Sequence, residues 1–273
     1  MDSEASMPGD RWRGQVWVIT GASSGIGART ARDVAAGGAI VVAAARREER
    51  IAALVAGLPG EGHSYRVTDV SDREQVRAVA EYVDATYGRC DVLLNNAGFL
   101  GAPGFGGERS ASVDDVEAVM ATNFFGAVYC TAEFLDLLKR SAPSHIVNVT
   151  SVAGRLAAPG QPAYTASKFA LVGWTESLQP DLARKGIYLS SVEPGFIPTE
   201  GFPQKGMIDD PMMSRLLGTD AQVSDAIQDA VAHRKAQRVV PRWYYTLQVP
   251  RVVAPRLYRI AAEKLATARN PRR

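Results

Sequence analysis

The stretch that most constrains the fold is a short apolar run that ends in a glycine-rich turn and leads directly into a helix pattern. The apolar run covers residues 15–20, the turn reads Gly-Ala-Ser-Ser-Gly-Ile-Gly over residues 21–27, and the helix pattern covers residues 28–36. A short apolar run bounded by glycine is typical of a buried strand. The stretch therefore predicts a strand, a tight turn and a helix in immediate succession.

The three glycines of this turn have separate physical uses. Gly21 permits the tight turn, Gly25 lets the backbone approach a pyrophosphate, and Gly27 lets the helix pack closely on the strand. Free N–H groups and the dipole at the start of the helix favour a phosphate there. We therefore predict a dinucleotide site. A purely structural turn stays open as the alternative, because the G-x-x-x-G-x-G spacing differs from the commoner G-x-G-x-x-G. The turn residues assigned to the cofactor are Gly21, Ser23, Ser24, Gly25, Ile26 and Gly27.

Strand and helix patterns then alternate along most of the chain. Further strands are predicted at residues 39–45, 63–67, 91–94, 145–150 and 188–192, separated by helices at 48–56, 72–87, 113–139 and 163–184. Ser71 is expected to cap the second of these helices. This alternation predicts an α/β doubly wound parallel sheet, the Rossmann fold. The 273 residues suit a single domain, placed at 12–240, with a helical C-terminal extension at 241–273.

Two arginines follow the second predicted strand. NAD-specific proteins of this architecture carry an acidic residue there for the ribose 2′-hydroxyl, whereas this chain has Ala45 followed by Arg46 and Arg47. A guanidinium binds phosphate well through two hydrogen bonds, so the sequence favours NADP(H) over NAD(H). The alternative is that both arginines only begin the solvated face of the next helix. Asp69 and Val70 after the third strand are also assigned to the cofactor site. Asp69 is expected either to accept from the adenine amino group or to stabilise a turn or a helix cap.

Two more features precede the reactive residues. Small residues after the fourth strand, Asn96, Ala97 and Gly98, would let a cofactor lie flat across the strand end, and asparagines there can tie neighbouring strands together. Asn123 stands in the middle of a long helix pattern, where asparagine is unfavourable. A kink around Asn123 would free backbone groups for a water or a side chain.

Tyr164 and Lys168 are expected to be the central reactive residues of the chain. Positions i and i+4 share one face of a helix, so a phenol and an ammonium lie side by side. An ammonium close to a phenol lowers the tyrosine pKa from its usual value of about 10. A tyrosine tuned in this way can pass a proton near neutral pH. The alternative is an ordinary surface pair.

In their order and spacing along the chain, these segments resemble the motifs of the short-chain dehydrogenase/reductase family over about residues 12–240. Residues 20–27 resemble the cofactor turn of that family, and residues 95–98 its strand-four motif. Asn123, Ser151, Tyr164 and Lys168 match its catalytic tetrad in order and spacing. Residues 194–199 resemble the segment that holds the nicotinamide carboxamide, which adds Pro194, Gly195, Ile197 and Thr199 to the expected cofactor site together with Tyr164 and Lys168.

The resemblance implies a role for each tetrad residue. Tyr164 would exchange a proton with the substrate oxygen, and Ser151 would hydrogen-bond that oxygen. Lys168 would bind the nicotinamide ribose and lower the Tyr164 pKa, while Asn123 would hold a relay water through its freed backbone. The implied activity is NADP(H)-dependent interconversion of a carbonyl and an alcohol. The rival functions are an NADP(H)-binding sensor or membrane scaffold with little turnover, and an epimerase or dehydratase on the same fold.

Composition excludes several other classes. The formal net charge of +2 suggests no nucleic-acid partner. Two cysteines, Cys90 and Cys130, indicate free thiols in a reducing, cytoplasmic compartment. We expect no signal peptide, no membrane-spanning helix and no bound metal. Ser151 lacks the G-x-S-x-G context of an acyl-transfer nucleophile.

Two segments are expected to distinguish this chain from its relatives. Residues 196–219 are rich in Met and Leu, and the resemblance implies a mobile lid over an apolar substrate pocket. From His233 onward the chain carries eleven Lys and Arg against one acidic residue, Glu263, with aromatic and aliphatic residues between them. Prolines at 241, 250 and 255 are expected to break this stretch, and residues 256–269 to form an amphipathic helix. The extension then either contacts an anionic membrane surface or packs on the enzyme. The resemblance also implies that the long helices with Asn123 and Tyr164 pair with their copies in a homodimer or homotetramer.

Overall fold

The protein is described from a computed structural model, which covers residues 10–105, 110–200 and 217–260. Within these residues one sheet of parallel strands runs in the order β3-β2-β1-β4-β5-β6-β7, so the predicted doubly wound parallel sheet is confirmed. The strands are β1 (Val16–Thr20), β2 (Ile40–Ala45), β3 (Ser64–Val67), β4 (Val92–Asn95), β5 (Ser144–Val149), β6 (Ile187–Pro194) and β7 (Gln237–Val240).

Helices connect the strands and cover the sheet. They are α1 (Gly25–Ala36), α2 (Glu48–Ala56), α3 (Arg73–Tyr87), α4 (Val113–Met120), a π-helical turn (Ala121–Phe125), α5 (Gly126–Arg140), a short 3₁₀ turn (Val152–Gly154), α6 (Pro162–Ala183), α7 (Asp220–Ala232) and α8 (Tyr244–Val253). Every residue of β1 is buried, as a parallel strand covered on both faces requires. Two apolar cores, one on each side of the sheet, result from this arrangement.

The order of the strands determines where a ligand can bind. From β1 the chain winds outward to β3 and then returns to the other side of β1 as β4. The connections on the two sides therefore diverge at β1 and β4, which leaves a crevice at the carboxyl ends of these strands. The glycine-rich turn follows β1, and residues 96–98 follow β4, so both border this crevice.

Three local predictions differ from the structure. Asp72, not Ser71, caps α3, because the Asp72 carboxylate accepts hydrogen bonds from the backbone N–H groups of Glu74 and Gln75, while Ser71 donates its own N–H and hydroxyl to Asp69. The short seventh strand, β7, was not predicted. The long helix expected at 113–139 is divided by the π-helical turn, which contains Asn123, so the predicted irregularity is a widened turn.

The helical stretch Val113–Arg140 is, by length and composition alone, long and apolar enough to cross a membrane. Its second half, α5, packs against β4, β5 and α3. Phe134, Leu137 and Leu138 on that face are buried in one of the two cores. The stretch therefore occupies the position of a core helix within the folded domain.

The beginning of the C-terminal extension packs on the domain. Tyr244 is buried, and the centre of its ring lies 6.3 Å from that of Phe196. The helix α8 continues through Pro250, where the sequence predicted an interruption. Residues 255–260 are helical again. The rest of the amphipathic helix predicted at 256–269 and most of the lid at 196–219 lie outside the described residues. The division into a domain at 12–240 and an extension at 241–273 stays a prediction.

Candidate active site

The glycine-rich turn forms one wall of the crevice and has no room for side chains at two of its glycines. A Cβ atom on Gly21 would lie 2.8 Å from the Cα of Ala97, and one on Gly27 would lie 2.5 Å from Nδ2 of Asn96. Gly21 and Gly25 also have positive φ angles of 65° and 54°, which L-residues with side chains rarely adopt. The turn thus presents bare backbone and the start of α1 to the crevice, which fits the pyrophosphate of a dinucleotide.

Asn96 and Thr20 hold this turn against the end of β4. The Asn96 side chain donates to the carbonyl oxygens of Thr20 at 3.0 Å and Gly21 at 3.2 Å. The Thr20 hydroxyl accepts from the backbone N–H groups of Asn96 and Ala97. One strand further on, Asn95 donates to Asn148 at 2.9 Å, so asparagines tie neighbouring strands as the sequence predicted. These bonds fix the spacing between the two sides of the crevice.

The two arginines after β2 lie at the end of the crevice that the glycine-rich turn also borders, but they have different partners. Arg46 is mostly exposed, and its Nη1 lies 3.7 Å from a carboxylate oxygen of Asp69. Burial acts to raise the pKa of Asp69, but hydrogen bonds from Ser71 and the charge of Arg46 outweigh it and keep that pKa below its usual value. Arg47 donates to the hydroxyls of Ser23 and Ser24, at 2.9 Å and 2.6 Å, and also pairs with Glu200.

Tyr164, Ser151 and Lys168 come together at the other end of the crevice. Ser151 follows β5 and hydrogen-bonds Tyr164, which lies in the first turn of α6. The Ser151 hydroxyl also accepts from the backbone N–H of Ala153 at 3.0 Å, which fixes its direction. Lys168 is buried and donates from Nζ to the carbonyl oxygen of Val149 at 2.9 Å.

The predicted lowering of the Tyr164 pKa is wrong for the described contacts. Desolvation raises the pKa of Tyr164 to about 12, and the hydrogen bond with Ser151 only partly opposes it. Lys168 does not offset this, because its Nζ is bound to Val149 and lies 5.7 Å from the centre of the Tyr164 ring. Burial also lowers the pKa of Lys168 to about 8. At neutral pH the phenol is therefore protonated, and of these two groups Lys168 has the pKa closer to physiological pH.

Asn123 stands behind the crevice and supports its floor. Its side chain accepts from the backbone N–H of Phe99 at 2.9 Å, donates to the Phe99 carbonyl oxygen at 3.0 Å, and donates to the Ser167 hydroxyl at 3.0 Å. Asn123 thereby joins the π-helical turn to the loop after β4 and to the residue before Lys168. Single π-helical turns inside longer helices occur frequently at functional sites.

The segment after β6 forms the last wall. The backbone N–H of Gly195 donates to the carbonyl oxygen of Val240 at 2.7 Å, which joins the segment to β7. A Cβ on Gly195 would lie 2.6 Å from the ring of Tyr244, so only glycine lets the extension pack this closely. Thr199 lies against the glycine-rich turn, since a Cβ on Gly25 would be 3.2 Å from it.

One cavity of about 340 Å³ joins these walls, and almost all the predicted cofactor residues line it. Gly27 and Asn123 do not; they pack behind the lining. Residues that sequence reasoning did not assign also border the cavity, among them Thr68, Phe99, Thr122, Val149, Thr150 and Glu200. No local pattern singles out Glu200, because its partners are 153 and 150 residues away in the chain. Among the described residues, no three His, Cys, Asp or Glu side chains cluster as metal ligands.

A crevice with a phosphate-binding turn at one end and an acid–base cluster at the other defines a dinucleotide-dependent α/β enzyme. The family model described as "short chain dehydrogenase" matches residues 15–206. The chain therefore belongs to the short-chain dehydrogenase family and is an oxidoreductase that acts on CH–OH donors.

Individual relatives agree with this assignment. The chain is 39% identical over 204 residues to a protein named farnesol dehydrogenase from Aedes aegypti, with 71% of this chain and 82% of that protein covered. It is 38% identical over 206 residues to the 3-oxoacyl-[acyl-carrier-protein] reductase FabG of Thermotoga maritima, with 71% and 80% covered. A short-chain dehydrogenase/reductase from Burkholderia phymatum, solved in complex with NAD, matches with a TM-score of 0.74 and 30% identity over 96% of this chain and 98% of that one.

Proposed function

We propose that this enzyme interconverts a carbonyl and an alcohol on a hydrophobic substrate with NADP(H) as cofactor. The observation that carries this proposal is the convergence of Tyr164, Ser151 and Lys168 in the cavity that the glycine-rich turn also lines. The nicotinamide cofactor supplies or accepts the hydride. The protein binds and orients both reactants and moves the proton.

Each residue of the cluster has a role that its contacts support. Ser151, held by Ala153, hydrogen-bonds the substrate oxygen beside the Tyr164 hydroxyl. Because the pKa of Tyr164 lies near 12, its hydroxyl carries the proton that a substrate carbonyl accepts during reduction. Lys168, with a pKa of about 8, replenishes that proton and binds the cofactor ribose. Asn123 holds Lys168 in position through Ser167, and the backbone of its π-helical turn supports the relay water.

The preference for NADP(H) is proposed from the two arginines at the cleft end. Arg46 lines the cavity with its guanidinium mostly exposed and only loosely paired with Asp69, so it is available for a 2′-phosphate. Hydrogen bonds to charged groups contribute about 1.5–3 kcal/mol each. We expect Arg46→Asp to lower the NADPH over NADH preference by roughly tenfold to a hundredfold, measured as the ratio of dissociation constants.

Arg32→Asp on α1 is the matched control, because it makes the same charge change at an exposed position outside the cavity. The control should leave the ratio unchanged. An unchanged ratio for Arg46→Asp as well would mean that Arg46 does not read the phosphate.

The proposal that the substrate is hydrophobic is supported by a second cavity near α6. Apolar side chains, including Phe105, Ala157, Pro162 and Phe169, line most of it, together with Tyr258 of the extension. One relative takes its name from the alcohol farnesol, which is itself apolar. The test is cofactor oxidation with a panel of aromatic, steroidal and long-chain ketones. Tight cofactor binding without turnover of any of them would favour the rival function, an NADP(H) sensor or scaffold.

We further propose that the C-terminal extension docks on an anionic membrane surface. Val249, Val253, Leu257 and Ile260 recur every three or four residues and are each at least 50% exposed. Arg242, Arg256 and Arg259 of the same segment are also exposed. An apolar stripe flanked by arginines matches the interface of an anionic bilayer. An otherwise cytoplasmic enzyme would thereby reach a lipid-soluble substrate.

Vesicle co-sedimentation tests this docking. Truncation before the extension would remove Tyr244, which packs on Gly195, so point substitutions are the cleaner design. We expect the double variant Val253→Asp/Leu257→Asp to lose binding to phosphatidylserine-containing vesicles. The matched control Val67→Asp/Val113→Asp changes two exposed valines elsewhere and should bind as the unchanged protein does. Equal binding by both double variants would remove the membrane proposal.

Assembly as a homodimer or homotetramer is proposed through the outer faces of α5 and α6. Phe125, which directly precedes α5, is 42% exposed, and Ala166 and Gly173 on α6 are exposed small residues that permit close helix contact.

A cytoplasmic location agrees with Cys90 and Cys130, both of which are free and buried.

A further inference from the structure

We propose that Glu200 competes with the 2′-phosphate of the cofactor for Arg47, and so determines how strongly the enzyme prefers NADP(H) over NAD(H). This inference rests on the proposed dinucleotide function. It assigns a role to a carboxylate that borders the cofactor cavity beside the glycine-rich turn.

The guanidinium group of Arg47 is oriented by hydrogen bonds at the edge of the cavity, where it can bind an anion. Its Nε and Nη2 donate to the Ser23 hydroxyl at 3.1 Å and 2.9 Å, and Nη2 also donates to Ser24 at 2.6 Å. These bonds orient the guanidinium, and its Nη1 is then free to bind an anion. The anion bound there is Glu200, whose Oε1 lies 3.0 Å from Nη1.

The second oxygen of Glu200 is paired with Arg50, one turn further along α2. The Glu200 carboxylate therefore bridges two guanidinium groups, as a phosphate does when two arginines bind it. The hydrogen bond from Arg50 is the main cause that keeps the pKa of Glu200 below its usual value, and the charges of Arg50 and Arg47 add to it. The carboxylate is thus charged at neutral pH and occupies the anion position.

The charge at this end of the cavity is nearly balanced by the protein itself. Three guanidinium groups, those of Arg46, Arg47 and Arg50, face two carboxylates, those of Asp69 and Glu200. A phosphate close to Glu200 would meet a like charge, which is costly. A ribose hydroxyl would meet an acceptor for its proton. Glu200 therefore weakens binding of a 2′-phosphate and does not weaken binding of a 2′-hydroxyl, which moderates the preference that Arg46 and Arg47 create.

The test measures binding of two cofactor fragments to the full chain, without any turnover. Adenosine 2′,5′-bisphosphate carries the 2′-phosphate, and 5′-AMP lacks it. We expect Glu200→Gln to tighten the bisphosphate about tenfold and to change the 5′-AMP dissociation constant less than twofold. Isothermal titration calorimetry gives both constants.

Glu49→Gln is the matched control, because Glu49 is an exposed carboxylate on the same helix α2 that does not border the cavity. It removes the same charge and should leave both constants unchanged. Equal tightening of both fragments by Glu200→Gln, or equal effects of the two variants, would reduce the effect to general electrostatics and overturn the competition. Weaker binding of the bisphosphate would instead make Glu200 a residue that positions Arg47, and would also overturn it. If the unchanged protein bound neither fragment nor NADPH and NADH, the dinucleotide function itself would fail.

Discussion

Replacing Tyr164 by Phe is expected to lower turnover about a thousandfold while leaving cofactor binding nearly intact, because proton transfer by one positioned side chain contributes about 10²–10⁴-fold to the rate. The substitution removes one oxygen, and the ring keeps its place at the start of α6. In the described structure that hydroxyl is hydrogen-bonded to Ser151 and protonated at neutral pH. Phenylalanine therefore cannot deliver a proton to a substrate carbonyl.

The measurements are steady-state rates with the best ketone of the panel, and the NADPH dissociation constant by fluorescence. Tyr188→Phe is the control, since Tyr188 on β6 also loses only a hydroxyl and lies outside the cavity beside His145. That variant should keep full activity. If Tyr164→Phe kept turnover on a genuine substrate, Tyr164 would not be the proton donor and the proposed chemistry would be wrong.

The second large effect concerns the stability of the wall that follows β6. Glu193 is fully buried, and Arg155 donates to its Oε1 from Nε at 3.0 Å and from Nη2 at 2.8 Å. Gln237 on β7 donates to the same oxygen at 2.7 Å. Removing one partner of a buried ion pair costs about 3–5 kcal/mol, because the other charge is left without compensation. Arg155→Met should therefore lower the free energy of unfolding by about that amount.

Denaturation in urea, followed by circular dichroism, measures this cost. Arg140→Met is the control, because Arg140 pairs with Asp84 where both side chains are about half exposed, and such pairs contribute about 0–1 kcal/mol. Adding Glu193→Gln to Arg155→Met should recover part of the loss, since the neutral amide needs no counter-charge. A loss no greater than that of Arg140→Met would show that the buried pair does not stabilise the fold.

The buried pair also links stability to the cofactor site. Glu193 directly precedes Pro194 and Gly195, which border the cavity. Arg155 in turn accepts a hydrogen bond from Arg251 of α8 at its backbone oxygen. The extension, the 3₁₀ turn after Ser151 and the end of β6 are therefore joined through one arginine. None of these contacts follows from a local sequence pattern, because the partners lie 38 and 96 residues apart in the chain.

Where the sequence was sufficient, the relevant residues are close together in the chain. The sequence predicted six of the seven strands. β1 and β2 are almost entirely apolar, as strands covered on both faces require, whereas β3 is only partly buried and contains Ser64 and Arg66. β7 has four residues, including the polar Gln237 and Arg238, and was not predicted, although β3 has the same length and also contains two polar residues. The turn after β1 and the placement of Tyr164 and Lys168 on one helix likewise follow from local backbone geometry.

The sequence by itself determined the fold class, the position of the glycine-rich turn and the residue types that surround the cavity. Only the tertiary structure decided which charges face one another and how far each group is removed from water. It paired Glu200 with Arg47, placed Tyr244 under Gly195, and raised the pKa of Tyr164 where helix spacing alone predicted a decrease. The physical reason is that periodicity and turn chemistry act over a few residues, whereas desolvation and ion pairing depend on every segment packed around a group.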